Sequence, residues 1–70
     1  MKIRDFLPIL KEHGFTEDRV KGSHHQYKGI VDGQMHTVTL DFSQMGEEIQ
    51  SNNLKSMIRQ SGLSKKLFRH

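Results

Sequence analysis

The chain has 70 residues, no cysteine, 11 Lys/Arg against 8 Asp/Glu, and a net charge of +3. That length makes one domain over residues 1–70, with a small core and no disulfide or thiolate metal site to reinforce it. The apolar runs are short and Pro8 interrupts them, and Met1-Lys2-Ile3-Arg4-Asp5 lacks the apolar stretch of a secretion signal, so a soluble cytoplasmic protein with no membrane partner is expected.

The first predicted element is a helix over residues 3–13. Ile3, Phe6, Leu7 and Leu10 recur at three- and four-residue spacings and share one face. Pro8 fits a helix only near its first turn, which favours a start at about Asp5, with Asp5 at the N-terminus. Gly14 supplies the left-handed C-terminal position, Phe15 folds back onto the helix, and His13 meets the negative end of the dipole.

A weakly patterned strand follows over residues 16–21. Gly22-Ser23 makes a bend, and His24 to Lys28 forms the next strand, with His24, Gln26 and Lys28 on one face and His25 and Tyr27 on the other. Gly29, Asp32 and Gly33 give a hairpin signal over residues 29–34. Residues 35–42 form the clearest strand, with Val38, Leu40 and Phe42 facing the core and Thr37, Thr39 and Asp41 facing water.

After a polar loop over residues 43–50, a second helix runs from Ser51 to Ser61, with Leu54, Met57 and Ile58 inward. Gly62-Leu63 ends it as Gly14-Phe15 ends the first. Ser64 caps a short last turn in the tail 64–70, which carries Leu67 and Phe68. Short links make the strands antiparallel, and two framing helices pack on one sheet face. The expected fold is α+β, in the order α-β-β-β-α. If Tyr27 shares the Val38/Leu40 face, His24 and Gln26 lie on the open one.

Charge is unevenly spread: residues 1–30 are net +2, residues 31–50 net −4 without Lys or Arg, and residues 51–70 net +5 without an acid. The basic ends suit a polyanion, although solvated surface explains them as well. The stretch with most chemistry is Lys21-Gly22-Ser23-His24-His25-Gln26-Tyr27, holding two of five histidines. His24 can exchange protons at cellular pH. Gly22 admits close backbone approach, its bend can present N–H groups to an anion, and Lys21 and Lys28 add positive charge. These parts fit phosphodiester chemistry or phosphate binding alone.

Other chemistries are poorly served. Ser23 and His24 are neighbours that a strand points to opposite faces, and no obvious orienting acid stands nearby, which argues against a serine triad. His24 or His25 with His36 lacks a third ligand for a metal, which Asp41 could supply only by chance of the fold, and His36 reads as a sheet-edge or surface residue. Phe6, Phe15 and Phe42 read as core, leaving no aromatic row for base stacking.

Taken together, the helix ending in Gly-aromatic, the strand into Lys21-Gly22-Ser23-His24-His25-Gln26-Tyr27, the Thr37-Val38-Thr39 strand and the late Leu54-Lys55-Ser56-Met57-Ile58-Arg59-Gln60-Ser61-Gly62-Leu63 resemble the HicA (YcfA-like) toxins of HicA–HicB type II toxin–antitoxin systems. The resemblance runs from about Lys2 to Leu63. It departs at residues 41–53, where many members carry a Pro- and basic-rich link and this chain is acidic. It implies a double-stranded-RNA-binding-domain-like fold and ribosome-independent cleavage of mRNA, that is, an mRNA interferase that inhibits translation. It also implies neutralisation by a HicB antitoxin, most economically by masking His24. It places the catalytic histidine on His24, leaving Lys21, Gly22, Ser23, Gln26 and Lys28 as the expected RNA and phosphate contacts. With the RNA 2′-OH as internal nucleophile, no metal or other cofactor is expected. A non-catalytic RNA-binding module of the same fold and a protein-interaction domain are the rival readings.

Overall fold

The computed structural model describes residues 1–69. Its elements are helix α1 (Ile3–Glu12), strands β1 (Thr16–Lys21), β2 (His24–Val31) and β3 (Gln34–Asp41), helix α2 (Ser51–Ser61) and a 3₁₀ turn over Lys65–Phe68. The strands form one antiparallel sheet in the order β1-β2-β3. Buried Tyr27, Val38, Leu40 and Phe42 belong to the same core cluster as Ile3, Phe6, Leu7 and Leu10 of α1 and Met57 of α2. Both helices therefore cover one sheet face, in the α-β-β-β-α arrangement of the double-stranded-RNA-binding-domain-like fold.

Helix α1 begins at Ile3, two residues ahead of the expected start near Asp5, and Asp5 lies within the first turn rather than capping it. The reason is a long-range pairing. The amides of Ile3 and Arg4, which a first turn leaves without helical partners, donate to the carbonyls of Glu47 and Met45 at 3.0 and 2.9 Å. Pro8 consequently sits deeper in the helix than expected and removes the donor for the Arg4 carbonyl. Arg4 and Pro8 are both exposed, so water can serve that carbonyl.

The β2–β3 hairpin is tighter than the expected 29–34 loop. Gln34 pairs with Val31, leaving Asp32-Gly33 as a two-residue turn with φ of 52° and 79°. Positive φ at both positions is the type I′ signature, whose twist matches the flanking strands. Gly29 therefore lies inside β2, and its role is packing: a Cβ there would stand 2.7 Å from the Phe15 ring. Phe15 fills the space that the glycine leaves, and its ring is 1% exposed.

Helix α2 keeps its expected bounds and ends at Gly62 with φ 69°. Ser61 is fully buried yet satisfied, its hydroxyl donating to the Ile58 carbonyl at 2.6 Å and accepting from the Leu63 amide at 3.1 Å. In the tail, Ser64 caps the 3₁₀ turn as expected. Phe68 docks on the domain by stacking on Phe6 with ring centroids 4.9 Å apart, whereas Leu67 stays exposed. His70, the last residue of the expected 64–70 tail, lies outside the described residues.

Candidate active site

Strand register decides which side chains share a face. Tyr27 pairs with Val38 and His25 with Leu40, so those residues face the helices. The intervening pairs then build the open face in rows: Lys21–His24–Asp41, Arg19–Gln26–Thr39 and Thr16–Lys28–Thr37. His24 is exposed at the end of this face, as expected from alternation.

The turn beside it is built differently from the Asp32-Gly33 turn. Lys21 pairs with His24, so Gly22-Ser23 is the whole connection. Only Gly22 has positive φ (61°), which is the type II′ pattern with glycine first. A Cβ at Gly22 would meet no atom within 4 Å, so glycine is needed for its backbone angle and not for space. The turn is held from β3: the Phe42 amide donates to the Ser23 carbonyl at 2.9 Å, and the Ser23 hydroxyl donates to Asp41 Oδ1 at 2.5 Å.

This arrangement corrects one expectation: an acid does stand by the histidine. Asp41 is the cross-strand partner of His24 and binds the neighbouring serine. The alternation of Thr37, Thr39 and Asp41 marked Asp41 as wet, but only the pairing register brings it to His24. Glu47 and Glu48 join His24, Asp41 and Thr39 around a cleft of about 500 Å³ at the free edge of β3, closed on its far side by Asn53, Met57 and Gln60 of α2. Gln60 also anchors that edge, its side-chain oxygen accepting from the Thr39 amide at 3.2 Å.

Of the expected contacts, Lys21, Gly22 and Ser23 gather at His24. Gln26 lies one row away. Lys28 is four residues along the strand, about 13 Å from His24, and its Nζ is 3.3 Å from Asp18 Oδ2. Arg19, absent from the expected set, joins the Gln26 row. A register shift between Glu17 and Arg19 brings it there, an irregularity that local pattern does not reveal.

The other histidines among the described residues, His13, His25 and His36, have structural surroundings. His25 stacks on Phe42 with centroids 4.0 Å apart and an interplanar angle of 13°, and its Nδ1 is 3.3 Å from Glu17 Oε1. Tyr27 donates to the same carboxylate oxygen at 3.4 Å. Burial, then the negative charge of Glu17, then that hydrogen bond raise the Tyr27 phenol above its ordinary range. His13 Nδ1 lies 2.8 Å from the Ile9 carbonyl. His36, read as a sheet-edge or surface residue, does lie on an edge strand but is half-buried, with Nδ1 3.1 Å from the Gln60 carbonyl. No group of three or more His, Asp or Glu side chains among the described residues is arranged to hold a metal ion.

A family model described as HicA toxin of bacterial toxin-antitoxin matches residues 3–63. No curated protein matches the chain. No helix among the described residues is long and apolar enough to cross a membrane.

Proposed function

The chain belongs to the HicA toxin family, and from that premise we propose that it is an mRNA interferase whose catalytic residue is His24. The observation that carries this reading is the row Lys21–His24–Asp41 beside the Gly22-Ser23 turn on the open sheet face. A proton-transfer group, a cation and a carboxylate share one exposed edge, next to a glycine turn whose open backbone leaves room for a phosphate to approach.

In the proposed reaction, His24 takes the proton of an RNA 2′-OH as that oxygen attacks the adjacent phosphorus. The P–O5′ bond breaks, the 5′-oxygen gains a proton from water, and the products are a 2′,3′-cyclic phosphate and a 5′-hydroxyl. Lys21 and the turn amides offset charge on the phosphorane. Asp41 stands within cross-strand reach, where a carboxylate can orient the imidazole. Gln26 and Arg19 continue the track across the face, and Lys28 meets a more distant phosphate. A HicB antitoxin that covers His24 would neutralise the toxin.

The test is incubation of the purified chain with a labelled RNA in EDTA. The expected result is cleavage with 2′,3′-cyclic phosphate ends; loss of cleavage in EDTA, or 3′-hydroxyl ends, contradicts the reaction.

A further inference from the structure

Helix α2 has two differently charged sides. Asn53, Met57 and Gln60 face the cleft at His24, where the ionisable neighbours are Asp41, Glu47 and Glu48. A second concavity, of about 420 Å³, is lined by Lys55, Ile58, Arg59, Gly62, Leu63 and Lys65. At 100° per residue, the α2 residues of this second set project nearly opposite to those of the first. Half-buried Ile58 and Leu63 form an aliphatic floor. Exposed Lys55 and Arg59, one helical turn apart, stand on α2, and Lys65 stands on the 3₁₀ turn. None of these three cations lies within 4.0 Å of a carboxylate among the described residues.

We infer that this groove is a docking surface for an acidic amphipathic segment of the cognate antitoxin, separate from the contact that covers His24. The inference rests on the antitoxin partnership that family membership implies and does not require RNA cleavage. Charge complementarity selects the occupant. The rim is cationic, and residues 51–70 contain five Lys/Arg and no acid to satisfy it from within. A segment with aliphatic side chains on one face and Asp or Glu along its margins would fill the floor and pair with the rim. RNA matches only half of this surface. Its phosphates would satisfy the cations, but its bases stack on aromatic rings, and the groove contains none. An antitoxin seated here as well as at His24 would hold α2 from both sides.

The test is the affinity of the full chain for its cognate antitoxin, measured for the natural sequence, for Lys55→Glu/Arg59→Glu, and for Arg4→Glu/Lys11→Glu. The last pair carries the same charge change on exposed positions of α1. The expected result is at least a ~10-fold weaker complex for the α2 pair and less than a ~3-fold change for the α1 pair, with the RNA affinity of the α2 pair within a factor of about two of that of the equally charged α1 pair. Three results overturn the inference. Equal weakening by both pairs means long-range charge alone. Unchanged antitoxin affinity in the α2 pair means that the groove is not a contact. Loss of RNA affinity with antitoxin affinity intact means that it is an RNA surface. A chain that binds antitoxin but cleaves no RNA would count against the proposed reaction and leave this comparison decisive.

Discussion

Gly22-Ser23 and Asp32-Gly33 each reverse the chain in two residues, at opposite ends of β2. Their surroundings differ. The first is tied to β3 through the Ser23 carbonyl and hydroxyl and has Lys21, His24 and Asp41 at its base. The second has Ile30 opposite Met35 one step inside it, both largely exposed. A two-residue turn needs only the right backbone angles to join strands. The extra hydrogen bonds at Gly22-Ser23 are therefore not required for chain reversal, and they fix the backbone beside His24. The comparison separates a turn that serves folding alone from one that, in the proposed reaction, also positions the phosphate.

Substitutions at the two ends should separate them most sharply at the histidine. His24→Ala is expected to slow RNA cleavage by about 10²–10⁴-fold, whereas Ile30→Ala at the other end leaves the rate within about two-fold, since a lone exposed apolar side chain carries no reacting group. Initial rates on one labelled RNA check both. Gly22→Ala and Gly33→Ala place a side chain at φ of 61° and 79°, and each is expected to lose about 1–2 kcal/mol of stability in urea unfolding. Only Gly22→Ala should also slow cleavage under conditions where both variants are fully folded.

Smaller effects sharpen the account of what holds the first turn. Ser23→Ala removes the bond to Asp41 and should cost about 0.5–1.5 kcal/mol, with a several-fold lower cleavage rate. His25→Ala removes the stack on Phe42 and should cost about 0.5–1.5 kcal/mol beyond the lost area; His25→Phe should recover most of it, which thermal unfolding of the pair would show. Smallest is a pH effect. Because the folded state raises the Tyr27 phenol above its unfolded value near 10, the stability tied to its proton is fully present below that pH and falls as pH rises through the folded value. Unfolding free energies measured between pH 8 and 11 should decline more steeply for the natural chain than for Tyr27→Phe.

Much of this architecture was legible because it follows local periodicity. The alternation of Val38, Leu40 and Phe42 and the spacing of Leu54, Met57 and Ile58 each identified a face, and the Gly62 stop depends on one backbone angle. The exposure of His24 followed from the alternation of β2 against Tyr27. What was hidden depends on residues far apart in the chain. The early start of α1 needs the carbonyls of Met45 and Glu47. Gly29 looked like turn chemistry because its packing partner, Phe15, comes from another element. Asp41 stood 17 residues from His24 in sequence and reached it through pairing register alone, and Arg19 joined the open face through a strand irregularity. Register and bulges are set by tertiary packing, so a single sequence shows which face a residue prefers more readily than which neighbour it meets.

The central claim is that the His24 end of the open face performs RNA cleavage and does not merely hold RNA. The most direct measurement is single-turnover cleavage and RNA affinity determined side by side for the natural chain and His24→Ala. The account predicts a rate reduced by at least ~10²-fold, with affinity within about three-fold because the proposed Lys and Arg contacts to phosphate are untouched by the substitution. Cleavage that continues undiminished in His24→Ala, or a loss of rate matched by an equal loss of affinity, would contradict it.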